Sequence, residues 1–240
     1  MIQQLLALLP RQINTLSLVI AIAGAIVGGL LWLVGARFSR TLVTLLSVGA
    51  GALIGLQLPH WFGWRLEGWA TAVLAALVLG ISGYVLHKLW VGFALGVLLA
   101  LWAGLATIAL YADTKGFAWP AIDGVSWRDF LLVAWNTLSP DARRILPYAC
   151  GAGLVSGVGV TFLWPRLGVV LLYSIAGVSL FLGLGTTVLN VARRDWLSVI
   201  PNQTSSQLIV LGSLVAFGAV LQWRCIPSGG GRVRQVVVRR

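Results

Sequence analysis

The side chains able to do acid–base chemistry lie in two stretches. Asp113, Asp123, Asp129 and Asp141 share one connection, Asp113–Ile145, and His60 falls in another, QLPHWFGWRLEG. Carboxylates beside a histidine are the raw material of general acid–base catalysis and of metal-assisted hydrolysis. Here their spacings match no acid–base, nucleophile or metal-ligand motif, so solvated loop acids and helix caps are the preferred reading. Cys150 opens one apolar run and Cys225 follows the last, a placement that makes neither a disulfide framework nor a metal-ligand spacing. His60 and His87 belong to different connections and build no multi-histidine site. No enzymatic activity, metal or cofactor is expected.

The other chemistry is cationic. Arg37 and Arg40 sit in GARFSR, Lys88 in HK, Arg166 in WPR, Arg224 after the last apolar run, and Arg232, Arg234, Arg239 and Arg240 in the tail RCIPSGGGRVRQVVVRR. Guanidinium groups match phosphate oxygens bidentately. With 17 Lys+Arg against 6 Asp+Glu, the net charge is +11. In a soluble chain that excess would favour nucleic acid. This chain is 59% hydrophobic and 10% charged, with mean hydropathy +0.94. A soluble domain carries about 25% charged residues. Its basic residues lie between apolar runs, where topology and anionic lipid account for them. Membrane lipids with anionic headgroups on the cytoplasmic side are therefore the expected partners, and nucleic acid is not. For the tail, hinged at Ser228–Gly231, lipid binding is expected; addition of VRQVVV to a partner's sheet edge is the alternative.

Crossing about 30 Å of hydrocarbon takes some twenty apolar residues of helix. On that ruler the expected spans are Leu16–Gly35, Thr41–Leu58, Trp69–Leu86, Leu89–Ala112, Leu146–Trp164, Arg166–Asn190 and Ser206–Trp223. The first exceeds a signal-peptide core of about 7–15 residues and reads as an uncleaved helix. The expected fold is all-α: a seven-helix transmembrane bundle over residues 1–224, with a short Gly-hinged Arg-rich cytoplasmic tail over 225–240. The plan of helix, tight basic turn and glycine-rich helix occurs at Arg37/Arg40, at Lys88 and at Arg166. This predicts three tight helical hairpins plus a last helix. The HK pair is expected to form the second turn itself.

Seven spans put the three basic turns on the side of the C-terminal tail. That side carries nine basic residues and no acid; the other carries eight basic residues and all six acids, Glu67, Asp113, Asp123, Asp129, Asp141 and Asp195. Lys and Arg alone are nearly tied under the positive-inside rule, and the segregated acids tip the reading. The N-terminus is expected outside, the C-terminus inside, and the location an integral plasma membrane, the inner membrane of a bacterium. Fifteen arginines against two lysines suggest a GC-rich genome.

Within Asp113–Ile145, Trp127, Phe130, Leu131, Ala134, Trp135 and Leu138 share one helical face. Ser126 and Asp129 resemble a capping box, which predicts an outer interfacial helix over about 126–138. Gly24 and Gly28, Gly51 and Gly55, Gly92 and Gly96, and Gly153 and Gly157 are each four apart, nearly one helical turn. Each pair clears a groove in which another backbone can approach, inside the bundle or at an oligomer interface. No Asp, Glu, Lys or Arg falls in the central part of any span. That argues against a proton relay, a voltage sensor or a charge-lined pore. Ser47, Ser82, Tyr84, Thr107, Ser156, Thr161, Tyr173, Ser174 and Thr187 could still line a neutral path, or bond a neighbouring helix or their own backbone.

The segments GARFSRTLVTLLSVGAG, KLWVGFALGVLLALWAG, LWPRLGVVLLYSIAG and GAVLQWR, in this order over about Gly35–Arg224, resemble the transmembrane-protein-198-like family, a seven-span domain of unknown function. Trp164–Pro165–Arg166 and Gln222–Trp223–Arg224 carry the resemblance most specifically. It implies a seven-helix bundle with an outer N-terminus and an inner basic tail, and brings no catalytic residues.

The sequence thus reads as a non-enzymatic polytopic membrane protein acting as a scaffold or partner-binding subunit, alone as a homo-oligomer or within a membrane complex. The alternative is a channel or transporter for a small neutral or amphipathic solute.

Overall fold

In a computed structural model of the chain the described residues are 15–64, 66–115, 127–192 and 204–225, and every regular element among them is a helix. These are α1 (Thr15–Val34), a 3-10 turn (Gly35–Phe38), α2 (Ser39–Phe62), α3 (Gly68–Val85), α4 (His87–Lys115), α5 (Trp127–Thr137), α6 (Pro140–Leu163), α7 (Pro165–Ala192) and α8 (Thr204–Cys225). All but α5 are apolar and run 18 to 29 residues. At about 1.5 Å per residue such helices cross a hydrocarbon core of about 30 Å.

By length and hydropathy six uninterrupted stretches qualify as spans, because the first, Leu18–Phe62, runs 45 residues through α1 and α2 together. As one straight helix it would reach about 68 Å, twice what a bilayer needs. The 3-10 turn divides it: Val34 has φ −132° and ψ 1°, and Phe38 has φ −102° and ψ 13°. Outward faces are strongly apolar, with Leu46 72%, Val78 65% and Val155 70% exposed. Such surface is stable against lipid and not against water. The chain is a helical membrane protein.

The helices pack as three antiparallel pairs, α2 with α3, α4 with α6 and α1 with α7, and α8 lies along α1 and α7. Small residues set the partners. A Cβ on Gly51 would come 2.5 Å from the Ala75 carbonyl oxygen, and one on Gly55 2.5 Å from that of Thr71. A Cβ on Gly157 would come 2.5 Å from the Gly96 Cα, one on Gly153 2.7 Å from the Leu99 oxygen, and one on Gly28 2.6 Å from the Phe181 nitrogen. Thr71 adds an interhelical bond, its hydroxyl donating to the Gly55 carbonyl at 2.7 Å. Without a hydrophobic force between helices in lipid, this close contact is the main source of pairing energy.

The expectation of three tight hairpins across the basic turns is therefore corrected. The turns join one pair to the next: α1 to α2, α3 to α4, and α6 to α7. The helices on either side of each turn then diverge, because each presents its small-residue face to a different partner. Two of the close pairs instead run across the longer connections. The second turn also lies one residue earlier than HK, at Leu86 (φ −96°, ψ 28°), with His87 and Lys88 already inside α4.

The three helices leaving the basic turns meet in one core. Val43 of α2, Val91 and Leu95 of α4, and Val170, Leu172, Tyr173 and Ile175 of α7 are buried together with Ala36. Val43 lies three residues past Arg40, Val91 three past Lys88 and Val170 four past Arg166, so the same helical turn of each contributes.

At the opposite end α2 stops on Gly63 (φ 64°), whose left-handed backbone suits a helix C-terminus. α5 occupies the expected stretch, Trp127–Thr137, with Asp129 in its first turn. Ser126, its expected cap, lies outside the described residues. α6 begins at Pro140, six residues before the expected span. The Ser139 hydroxyl accepts from the Ala142 nitrogen at 3.3 Å, with proline in the first turn, a start that needs no apolar run. Arg143 of α6 reaches back to the carbonyls of Leu138 (3.0 Å) and Asn136, tying the end of α5 to the start of α6.

Candidate functional site at the basic-turn end

All three basic turns and the end of α8 lie together. The Ser39 hydroxyl, in the first turn of α2, is 2.8 Å from His87 Nε2, in the first turn of α4. Tyr173 of α7 donates its hydroxyl to the Ser39 carbonyl at 3.2 Å. Arg166 donates to the Trp223 carbonyl at 2.8 Å and holds its guanidinium 4.4 Å from the Trp223 ring centroid. Separate side-chain hydrogen bonds thus tie the turns to α7 and α8.

Gln222, near the end of α8, is 1% exposed. Its Nε2 donates to the carbonyls of Leu31 (3.0 Å) and Trp32 (2.6 Å), and its Oε1 accepts from the Ala36 nitrogen at 3.3 Å. Leu31 and Trp32 belong to the last turn of α1, where carbonyls lose their intrahelical partners. A primary amide supplies both two donors and an acceptor, so one side chain caps the break from both sides.

Arg37 lies in the 3-10 turn after α1, Arg40, Lys88 and Arg166 lie in the first turns of α2, α4 and α7, and Arg224 lies in the last turn of α8. Of these, Arg224 stands where positive charge offsets the negative end of a helix dipole. Arg37, Arg40, Lys88 and Arg224 are exposed. Arg40 sits 4.6 Å from the Tyr84 ring centroid and Arg37 5.8 Å from that of Phe38. Trp164 is exposed, and Pro165 opens α7 directly after it. The geometry presents a cationic, aromatic-edged rim over a tightly bonded floor. What it can do chemically is hold phosphate or carboxylate groups at the rim.

Of the other glycines singled out in the sequence, Gly24 faces the Leu184 side chain, and a Cβ on Gly92 would lie 3.4 Å from the Thr161 Cβ and one on Gly96 2.8 Å from the Leu154 oxygen. All eight face a neighbouring helix. The polar residues of the spans divide by partner. Ser82, Thr107, Ser156, Thr161 and Thr187 donate to carbonyls three or four residues back in their own helices. Ser47 packs where a Cβ on Gly83 would stand, and Tyr84 faces outward under Arg40. Ser174 is fully buried, and its hydroxyl has no hydrogen-bond partner among the described residues.

His60 is exposed in the last turn of α2, far along that helix from Ser39 and His87. Asp129 and Asp141 are exposed in the first turns of α5 and α6. Asp123, Asp195 and the tail arginines Arg232, Arg234, Arg239 and Arg240 lie outside the described residues. Among the described residues no group of three or more His, Cys, Asp or Glu could hold a metal ion.

Two interior tryptophans were not singled out in the sequence. Trp32 donates to the Leu214 carbonyl at 3.1 Å and fills the space left by Gly177 and Gly218, and Trp102 donates to the Ser179 hydroxyl at 3.1 Å. Trp102 stands midway along α4, away from any headgroup belt, and that position was its available signal; Trp32, in the last turn of α1, gave none. Comparison of the chain with protein-family models, with curated proteins and with solved structures finds no match. The site is read from its geometry alone.

Proposed function

We propose that the chain is a non-enzymatic membrane subunit that works by assembly, presenting its cationic rim to anionic headgroups and to a partner chain. The observation that carries this reading is the floor under the rim. Val91, Leu95 and Val170 are 0% exposed there, and Gln222, Ser39 and Tyr173 spend their polar atoms on the helices around them. A bundle closed in this way holds helices in place and displays a surface. The absence of acids from the three basic turns of the sequence supports placing the rim in the cytoplasm, with the N-terminus outside. The composition supports a bacterial inner membrane as its location.

Ser174 favours a second reading, transport of a small neutral solute, since a buried hydroxyl without a partner can serve a passing polar molecule. The experiment that separates the two is extraction from the native membrane into nanodiscs, with the mass of the particle measured and co-purifying chains identified. A discrete complex with other chains supports the assembly reading. A lone chain that conducts a neutral solute in liposomes contradicts it.

A further inference from the structure

An outward groove runs between α2 and α3. It encloses about 470 Å³ and is lined by Thr44, Val48, Val73, Leu77, Ile81 and Tyr84. Gly80 lines it and packs closely against α2: a Cβ there would come 2.6 Å from Val48 Cγ2. From Tyr84 to Val73 the groove follows eleven residues of α3, about 16 Å at 1.5 Å per residue. Half of a hydrocarbon core is about 15 Å. The groove is therefore about as long as one leaflet is thick. Its wall is carbon, and Val73, Leu77 and Ile81 are each more than half exposed along it.

One end differs from the rest. Tyr84 both lines the groove and carries Arg40, whose guanidinium carbon lies 4.6 Å from the ring centroid. Thr44, the other lining residue at this end, donates its hydroxyl to the Arg40 carbonyl at 2.9 Å. The ring contact uses none of the five N–H donors of the guanidinium as a hydrogen bond. A cation with donors in hand thus stands at the mouth of an apolar channel about one leaflet long. Among the described residues no acid stands in the basic turns at this end. Its complement is a molecule with a phosphate at one end and a hydrocarbon chain at the other.

We propose that the α2/α3 groove binds one anionic phospholipid, an acyl chain lying over Gly80 and the phosphate held by Arg40. The inference rests on the reading that the basic turns meet anionic headgroups and narrows it to a single site. Ordinary boundary lipid shows no headgroup preference at one position, and this site does. Arg37 belongs to the same turn but stands over Phe38 and does not line the groove. It is the internal control.

The test is native mass spectrometry of the full chain in detergent, offered equimolar dioleoyl phosphatidylglycerol and dioleoyl phosphatidylcholine. The wild type should retain one phosphatidylglycerol in preference to phosphatidylcholine. Arg40→Gln should reduce that preference about fivefold, the scale of one basic residue at an anionic surface. Arg37→Gln, in the same turn but off the groove, should reduce it by clearly less than Arg40→Gln does. Leu77→Trp, which narrows the groove from its exposed wall, should reduce retention of both lipids. Equal retention by the wild type would overturn both the site and the headgroup reading. A preference that survives Arg40→Gln, or falls equally with Arg37→Gln, would overturn the site alone. So would a dimer that releases lipid and is broken by Leu77→Trp, because a second copy would then occupy the groove.

Discussion

Gln222, near the end of α8, donates to the carbonyl of Trp32 at 2.6 Å, so the last helix is fastened to the last turn of the first. The bond joins residues 190 positions apart in the chain. Its partners on the other atoms of the same amide are the Leu31 carbonyl and the Ala36 nitrogen. Gly35 and Ala36 of the break between α1 and α2 are buried, and Gln222 satisfies these groups there.

Replacing Gln222 by Leu should therefore cost more than a single hydrogen bond. It would leave carbonyls of α1 buried without donors, at about 1–3 kcal/mol for each such group. Thermal unfolding in detergent should show a clearly lower midpoint for Gln222→Leu. Gln222→Glu keeps the acceptor and loses the donors, and should also melt lower. An unchanged midpoint in both would remove the capping role.

Glycines a few residues apart should respond with opposite sign. Gly51 packs against the backbone of α3, where a methyl group would come 2.5 Å from the Ala75 oxygen, whereas Gly49 has nothing within 4 Å. Gly51→Ala should destabilise the protein by forcing α2 from α3. Gly49→Ala should be neutral or stabilising by up to about 1 kcal/mol, the helix-propensity difference. Melting curves of the two variants decide this, and equal effects would contradict the pairing of α2 with α3.

The proposed orientation makes its own prediction. In a background without Cys150 and Cys225, cysteines placed at Arg37 and at Arg166 should be shielded from an impermeant maleimide added to intact cells. A cysteine at Asp123 should be labelled. The reverse pattern would place the rim outside.

The tail should bind charged membranes through its arginines. Replacing Arg232, Arg234, Arg239 and Arg240 by Gln should weaken binding of the tail to phosphatidylglycerol vesicles, each contributing up to about 1 kcal/mol near the surface. Equal binding by the two forms would leave partner docking as the tail's role.

Much of this was legible in the chain, and the illegible part has a physical reason. Apolar length gives the spans directly, because lipid leaves a helix almost no alternative. The glycines four apart mark the faces that approach another backbone, and all eight do face a neighbour. What spacing cannot say is which neighbour. Gly28 would fit α2 as well as α7 by periodicity, and only the three-dimensional match of Gly28 with Phe181 and of Gly177 with Trp32 selects α7. Gln222 was visible only as part of a short interfacial segment, since its partners are backbone groups that carry no sequence signal. The start of α6 was hidden by Arg143 and Arg144, whose charge masks six residues of helix from any hydropathy scan.

The central claim is that α1 pairs with α7 and not with α2, to which it is joined. Disulfide trapping in native membranes tests it most directly, using a background without Cys150 and Cys225. An ideal Cβ on Gly28 lies 2.9 Å from the Leu180 Cβ, close enough for a bridge after a small shift of the helices. The account predicts ready cross-linking of Gly28→Cys with Leu180→Cys. It predicts none between Leu30→Cys and Leu45→Cys, which a tight hairpin about the first basic turn would bring together. Cross-linking of the second pair and not the first would contradict the architecture on which the rim, the groove and the proposed function all rest.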